Sequence, residues 1–375
     1  MTQSALNGEI DRPIVLAAGG TGGHMFPAEA LAQVLKRRGR RVLLVTDARG
    51  KRYTENFPAD EQFVISAATP SIGGPVAKGL AAVSIAQGLC TALREFKKCR
   101  PVAAIGFGGY PSLPAMKAAA LMGIPYGVHE QNGVLGRANR MLAKGAIFTA
   151  HAFSVLEKLP AGANAIEVGN PVRDAVESVT NTPFPAIEDG GKINILIFGG
   201  SQGASIFSEA PVKAIAAMPD KIRARLHVTH QAREGDVDAV RAQYAEAGVE
   251  CDVASFFTDL PLRMANAHLI ISRAGASTVT ELSAIGRPSI LVPLAIAMDD
   301  HQTGNAHVLS KANAAILLPE TSFNEEALSA AMEPLLANPG RLQSMAAAAK
   351  DSVKSGAAAS LADLVEDICH ERVAA

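Results

Sequence analysis

The sequence predicts an α/β protein of two Rossmann-like domains, each a parallel sheet covered by helices. Three observations carry this. Short apolar runs recur, and each stops at a glycine-rich turn before a helical stretch, the pattern of strands buried on both faces. The opening turn, Gly19-Gly20-Thr21-Gly22-Gly23-His24, returns in altered form as Gly199-Gly200-Ser201-Gln202-Gly203-Ala204, 180 positions later. Between the halves lies a segment dense in Pro and Gly, Asn181 to Pro185 and Glu188 to Gly191, which reads as an inter-domain linker.

The elements follow in order. Ile14 to Ala18 is a strand, the stretch from Pro27 to Arg38 is helical and closed by Gly39, and Arg41 to Thr46 is the next strand. Val102 to Ile105 runs into Gly106-Phe107-Gly108-Gly109-Tyr110, and Tyr126 to His129 runs into Glu130-Gln131-Asn132-Gly133. The second half begins with Ile193 to Phe198 and continues with Leu226 to His230, Val249 to Ala254, His268 to Ser272 and Ser289 to Pro293. From Arg341 onward the chain is Ala-rich without strand signals, so one or two helices are expected there. The reading divides the chain into residues 1–175, residues 176–345, and a helical tail, 346–375, packing back on the first domain.

Composition narrows the function. The 375 residues suit two domains, and 48% hydrophobic against 19% charged residues suffices for two cores. A net charge of -1 gives no basic field for nucleic acid, so no nucleic-acid partner is expected. Cys90, Cys99, Cys251 and Cys369 form no CxxC and read as reduced thiols. The N-terminus lacks the basic start and apolar run of a signal peptide, and no uninterrupted apolar stretch reaches ~18 residues. The expectation is a soluble cytoplasmic protein.

In open α/β sheets ligands bind beyond the carboxyl ends of the strands, where helix N-termini offer free N–H groups to anions. Four turns qualify. The first holds Thr21, Gly22, Gly23 and His24; it fails the dinucleotide pattern GxGxxG at Met25, although Asp47 ends the second strand where a ribose-binding acid would sit. His24 is either a general base or an ordinary exposed histidine. The second turn, with Ser201 and Gln202, either holds a diphosphate or is a tight turn without ligand. The third, Ser272-Arg273-Ala274-Gly275-Ala276-Ser277-Thr278, opens a helix as a phosphate cradle. Glu281, one turn further, either accepts hydrogen bonds from ribose hydroxyls or sits there for its favourable charge near the helix start. The fourth, Asp299-Asp300-His301-Gln302-Thr303-Gly304-Asn305, lacks a spaced third carboxylate, so no metal is expected; Gln302 and Asn305 suit sugar hydroxyls.

Taken together and in order, Gly-Gly-Thr-Gly-Gly-His at 19–24, Gly-Gly-Tyr at 108–110, His-Glu-Gln-Asn at 129–132, Gly-Asn-Pro-Val-Arg at 169–173, Gly-Gly-Ser-Gln-Gly-Ala at 199–204, Ser-Arg-Ala-Gly-Ala-Ser-Thr at 272–278 with Glu281, and Asp-Asp-His-Gln-x-x-Asn at 299–305 resemble the MurG family. The resemblance spans residues 14–310. It departs before Ile10, in the 181–191 linker and in a longer 294–300 loop. It implies the GT-B fold, two Rossmann-like domains facing a cleft, with UDP-GlcNAc as donor and the lipid I acceptor, undecaprenyl-pyrophosphoryl-MurNAc-pentapeptide. It implies His24 and Glu130 as the catalytic pair. Thr21, Gly22 and Gly23 fall beside the substrate phosphates, and Tyr110 falls in a family motif on the acceptor side. Asn132, Arg173 and Ser201 match donor-contacting positions, Phe257 a backbone contact to uracil, Glu281 the ribose ligand and Gln302 the GlcNAc contact. No cofactor is implied.

The lipid-linked acceptor calls for a membrane surface. The segment Ile72 to Val83 spaces apolar residues helically, and Arg94, Lys97, Lys98, Arg100 and Lys144 follow, which suits an anionic bilayer or, alternatively, a core helix with a charged end. The expected location is peripheral, on the cytoplasmic face of the inner membrane, with cell-wall synthesis and division proteins as candidate partners. Competing readings are another GT-B lipid glycosyltransferase, a UDP-GlcNAc epimerase, a nicotinamide oxidoreductase and a nucleotide-binding module without catalysis.

Overall fold

The structure is a computed structural model that describes residues 12–68, 74–200, 205–297 and 300–374. It forms two compact units, Met1–Asp174 with Lys354–Ala375, and Ala175–Val353.

The first unit runs β1 (Ile14–Ala17), α1 (Gly22–Arg37), β2 (Val42–Thr46), β3 (Glu61–Val64), α2 (Pro75–Cys99), β4 (Ala103–Gly106), α3 (Gly109–Leu121), β5 (Tyr126–Glu130), α4 (Arg137–Leu142), β6 (Thr149–His151) and β7 (Ala165–Glu167). All pairings are parallel, in the order β3-β2-β1-β4-β5-β6-β7. Strand alternation sends Ile14 and Leu16 into one core and Val15 and Ala17 into the other, so β1 is apolar throughout.

The second unit runs β8 (Ile193–Phe198), α5 (Ala210–Ala216), β9 (Leu226–Gln231), α6 (Val237–Glu246), β10 (Glu250–Ala254), α7 (Leu260–Asn266), β11 (Leu269–Ser272), α8 (Ala276–Ile285), β12 (Ser289–Leu291), α9 (His301–Lys311), β13 (Ala315–Leu317), α10 (Glu325–Leu336) and α11 (Pro339–Lys350). The sheet is again wholly parallel, in the order β10-β9-β8-β11-β12-β13. The last helix, α12 (Ala357–Ala374), belongs to the first unit, where Leu361, Val365 and Ile368 join the core that holds Leu31 and Leu35 of α1.

In both sheets the winding reverses beside the first strand: β1 lies between β2 and β4, and β8 between β9 and β11. These are the switch points at which doubly wound sheets bind ligands.

Three sequence expectations need adjustment. β3, β6, β7 and β13 were not anticipated; each is three or four residues long and at or near a sheet edge, too short for a periodic signal. Residues 346–350 complete α11 in the second unit, so only α12 packs on the first. The presumed linker is fastened to the second unit. The buried Arg287 guanidinium donates to the Thr182 and Pro183 carbonyls at 3.2 and 3.0 Å, and the Phe184 ring meets His268 edge-on.

Candidate active site

At the first unit's switch point the Gly19–Gly23 turn is braced from β2. Asp47 Oδ1 accepts the N–H groups of Gly20 and Gly50, both at 2.9 Å, and Oδ2 accepts Arg49 Nε at 2.9 Å. The carboxylate is 4% exposed. Its acceptor positions are therefore taken by the turn, not open to a ribose. Gly19 is obligatory, because a Cβ there would stand 2.7 Å from Asp47 Oδ1 and 2.8 Å from Pro111 Cγ. Thr21 precedes α1 without a side-chain cap, and Gly22 and Gly23 form its first turn.

His24 follows in that first turn, and its ring lies against the turn after β4. A Cβ on Gly108 would be 3.4 Å from its Cε1, and one on Gly109 would be 3.2 Å from its Cδ2. Both glycines have positive φ, so the chain bends there without a side chain to displace the imidazole. Tyr110 is the next residue, half-buried in the first turn of α3.

The expected pairing of His24 with Glu130 is not what the structure brings together. His24 Nδ1 lies 3.0 Å from Oε1 of Gln131. Glu130, 2% exposed, is occupied on both oxygens: Oε1 accepts the Asn132 backbone N–H at 3.1 Å and Asn132 Nδ2 at 2.9 Å, and Oε2 accepts Gly136 N–H and Asn139 Nδ2, each at 2.9 Å. Glu130 thus ties down the loop from β5 to α4, and a proton on it would break one of these bonds. The reason is strand alternation, which puts 129 and 131 on one side and 130 and 132 on the other. His129 and Gln131 were overlooked, and that alternation was the signal for them. His129 is fully buried, with Nε2 3.0 Å from the Gly169 carbonyl and Nδ1 3.1 Å from Gln131 Nε2. Burial pushes its pKa down to about 4.

Arg173, expected at the donor, stacks its guanidinium 3.9 Å from the Phe26 ring centroid. Burial raises the pKa of nearby Glu29, with Arg173 opposing the shift.

In the second unit, Ser201 and Gln202 lie outside the described residues. The turn after β11 is fully placed. Gly275 precedes α8 without a side-chain cap, leaving the amides of Ala276, Ser277 and Thr278 at an open helix start; α10 and α11, by contrast, are capped by the side chains of Asn324 and Asn338. Glu281 is buried in α8. Arg273 turns away from this helix start: it pairs with Glu320 at 2.7 Å and lies 3.3 Å from the Val292 carbonyl. Phe257 is buried with Arg263 stacked 4.1 Å from its ring centroid, which fixes the backbone after β10. Gln302 accepts the Leu294 N–H at 3.0 Å and so holds the 294–297 loop. Asn305 is wholly buried, and its Nδ2 donates to the Ala274 carbonyl at 3.2 Å, in the turn that leads into α8. Among the described residues no three His, Cys, Asp or Glu side chains gather as a metal site would require; Asp299 lies outside them.

The chain is similar to known proteins over most of its length. The profile for the glycosyltransferase family 28 N-terminal domain matches residues 14–148, and that for the family's C-terminal domain matches residues 194–364. A UDP-N-acetylglucosamine--N-acetylmuramyl-(pentapeptide) pyrophosphoryl-undecaprenol N-acetylglucosamine transferase of Methylobacterium sp. (strain 4-46) is 48% identical, over 94% of this chain and 95% of its own. One of the same name from Caulobacter vibrioides is 47% identical, over 94% and 98%. The crystal structure of Acinetobacter baumannii MurG superposes with a TM-score of 0.77 at 30% identity, covering 95% of this chain and 99% of that one. With two parallel-sheet domains of this kind the fold is GT-B, and the chain belongs to glycosyltransferase family 28, within its MurG family of N-acetylglucosamine transferases.

Proposed function

We propose that the protein transfers GlcNAc from UDP-GlcNAc to the 4-hydroxyl of MurNAc in lipid I, giving lipid II for peptidoglycan and so serving cell-wall growth, cell shape and division. It is an N-acetylglucosaminyltransferase, as its relatives are named. The geometry that supports this best is a histidine at one switch point and an uncapped helix start with a buried glutamate at the other.

His24 takes the proton from the 4-hydroxyl as that oxygen attacks the anomeric carbon. The bond to UDP breaks in the same displacement, its electron pair leaves on the β-phosphate oxygen, and an α-linked donor yields a β-linked product. The growing phosphate charge is met by the amides of Ala276, Ser277 and Thr278, the Ser277 hydroxyl, Ser201 and Gln202; the Thr21–Gly23 turn meets the acceptor's pyrophosphate. Such donors act without a divalent ion. Glu281 accepts from the ribose, the backbone at Phe257 meets the uracil, and the Gln302 amide donates to GlcNAc. Asn132 and Tyr110 line the sugar side, and Arg173 acts through Phe26.

The observation that supports a peripheral location lies in α2. Val76, Leu80, Val83, Arg94 and Lys97 follow one another at helical spacing and all face solvent, Val76 being 78% exposed and Leu80 67%. The helix is long and apolar enough to cross a membrane. Ala92 and Phe96, however, are buried in the first unit's core, which favours a helix lying on an anionic surface. Ile72 and Gly73 of the expected segment lie outside the described residues. The site of action is then the cytoplasmic face of the inner membrane, alongside cell-wall synthesis and division proteins.

The test is incubation with labelled UDP-GlcNAc and a short-chain lipid I analogue, with and without EDTA. The expected product is a β-linked disaccharide lipid formed equally under both conditions. Epimerised free sugar would indicate an epimerase, and label entering diacylglycerol instead would indicate another lipid transferase. Loss with EDTA, restored by Mg²⁺ or Mn²⁺, would make the Asp299-Asp300 pair a metal site.

A further inference from the structure

We propose that Gln131 and His129 set the tautomer of His24, so that its Nδ1 carries the proton and its Nε2 presents the lone pair that receives the acceptor's proton. This rests on the reading of His24 as the base, and makes Gln131 and His129 positioning residues.

The argument runs from a fixed end. The Gly169 carbonyl can only accept, so His129 Nε2, 3.0 Å away, carries its ring's hydrogen. A second hydrogen on Nδ1 would charge a ring with no exposed surface, so Nδ1 is a lone pair. Gln131 Nε2 lies 3.1 Å from that nitrogen and 3.1 Å from the His129 carbonyl. Two acceptors claim its two N–H groups, which fixes the amide the right way round. Its Oε1 must then face His24 Nδ1 at 3.0 Å, and an amide oxygen can only accept. Each link is forced by the one before it. In water a neutral imidazole prefers the opposite tautomer, with the proton on Nε2, so the relay has work to do.

The two ends are held in place. Gly169 has φ +90°, its N–H donates to the His151 carbonyl at 3.2 Å, and a Cβ there would meet Ala357 Cβ at 3.0 Å and the Lys354 carbonyl at 3.2 Å. At the other end a Cβ on Gly109 would stand 3.4 Å from His24 Nε2, so glycine keeps that nitrogen approachable. His151, which faces His129 electrostatically, directs its own Nδ1 to the Phe153 carbonyl at 2.9 Å.

The tautomer can be read directly by ¹⁵N–¹H correlation of the His24 ring in the full-length protein, above its titration. The expected native spectrum has Nδ1 protonated and Nε2 bare. Gln131→Ala should lose that signature and lower kcat by about 10–100-fold, part of the ~10²–10⁴ that a general base supplies. KM for UDP-GlcNAc should stay put. Gln131→Glu keeps an acceptor against His24 but sets its second oxygen against the His129 Nδ1 lone pair and carbonyl, so it should restore the Nδ1–H signature only in part. A native His24 protonated on Nε2, or a Gln131→Ala variant with unchanged tautomer and kcat, would overturn the relay. Undiminished kcat in His24→Ala would instead overturn the base assignment, and the native spectrum would still judge the relay.

Discussion

The two units wind their sheets in the same order but hold the polar groups at the strand ends differently. In the first, those groups bond one another: Asp47 braces the glycine turn, Glu130 is filled by four donors, and Gln131 joins two histidines. In the second, α8 starts without a side-chain cap, as α1 does, but here the hydroxyls of Ser272 and Ser277 also have no hydrogen-bond partner among the described residues. A carboxylate or amide bonded through several atoms is held still, whereas hydroxyls without partners beside a helix start await an anion. The first arrangement suits a base and the second suits a leaving group.

The sharpest way to break this contrast is kinetic. His24→Ala should lower kcat by about 10²–10⁴ with little change in KM for UDP-GlcNAc. Glu281→Ala should mainly raise that KM. Interchanged effects, measured by steady-state kinetics, would mean the roles of the units are reversed.

A smaller effect should appear in both units. Burial holds His129 in the first and His230 in the second at a pKa of about 4, against 6.5 for a free ring. The unfolded chain takes up these protons first as pH falls. Each histidine's contribution is therefore intact above about pH 6.5 and is lost progressively toward pH 4, by up to about 3 kcal/mol apiece. Hydrogen exchange across this range should show both units loosening, and His230→Gln should flatten the response in the second unit alone.

Glu130→Gln should cost about 2 kcal/mol of stability, because an amide N–H₂ would face other donors. Denaturant melts would show this, while kcat per folded molecule stays near native. A fall in kcat at unchanged stability would restore Glu130 to the chemistry.

The smallest effect concerns α2. Reversing Lys97 and Lys98 should weaken binding to anionic vesicles by about 1 kcal/mol per charge, and high salt should act likewise. Lys98 already pairs with Glu95 at 2.9 Å, so Lys97 should matter more. Unchanged vesicle binding would return the helix to an ordinary surface role.

Much of this was legible in the residues. The central strands were readable because strands buried on both faces are apolar runs, and the glycine turns marked both switch points. The short edge strands carried no such signal. The site was legible at the level of motifs but not within them: His-Glu-Gln-Asn does not say which of its side chains meets His24, and strand alternation gives that contact to Gln131. Asn305 poses a similar ambiguity, since an amide that props up a turn resembles in sequence one that touches a sugar.

The return of α12 to the first unit has a consequence for biosynthesis. The groove on α1 that receives Leu361, Val365 and Ile368 is translated more than 300 residues before its filling. Until the ribosome has made the whole second unit, the first carries an open apolar seam, of the sort that chaperones recognise and that seeds aggregation. The second unit, whose core is drawn from one continuous stretch, can close while the first still waits. Maturation is thus vectorially out of order: the part begun first is sealed last.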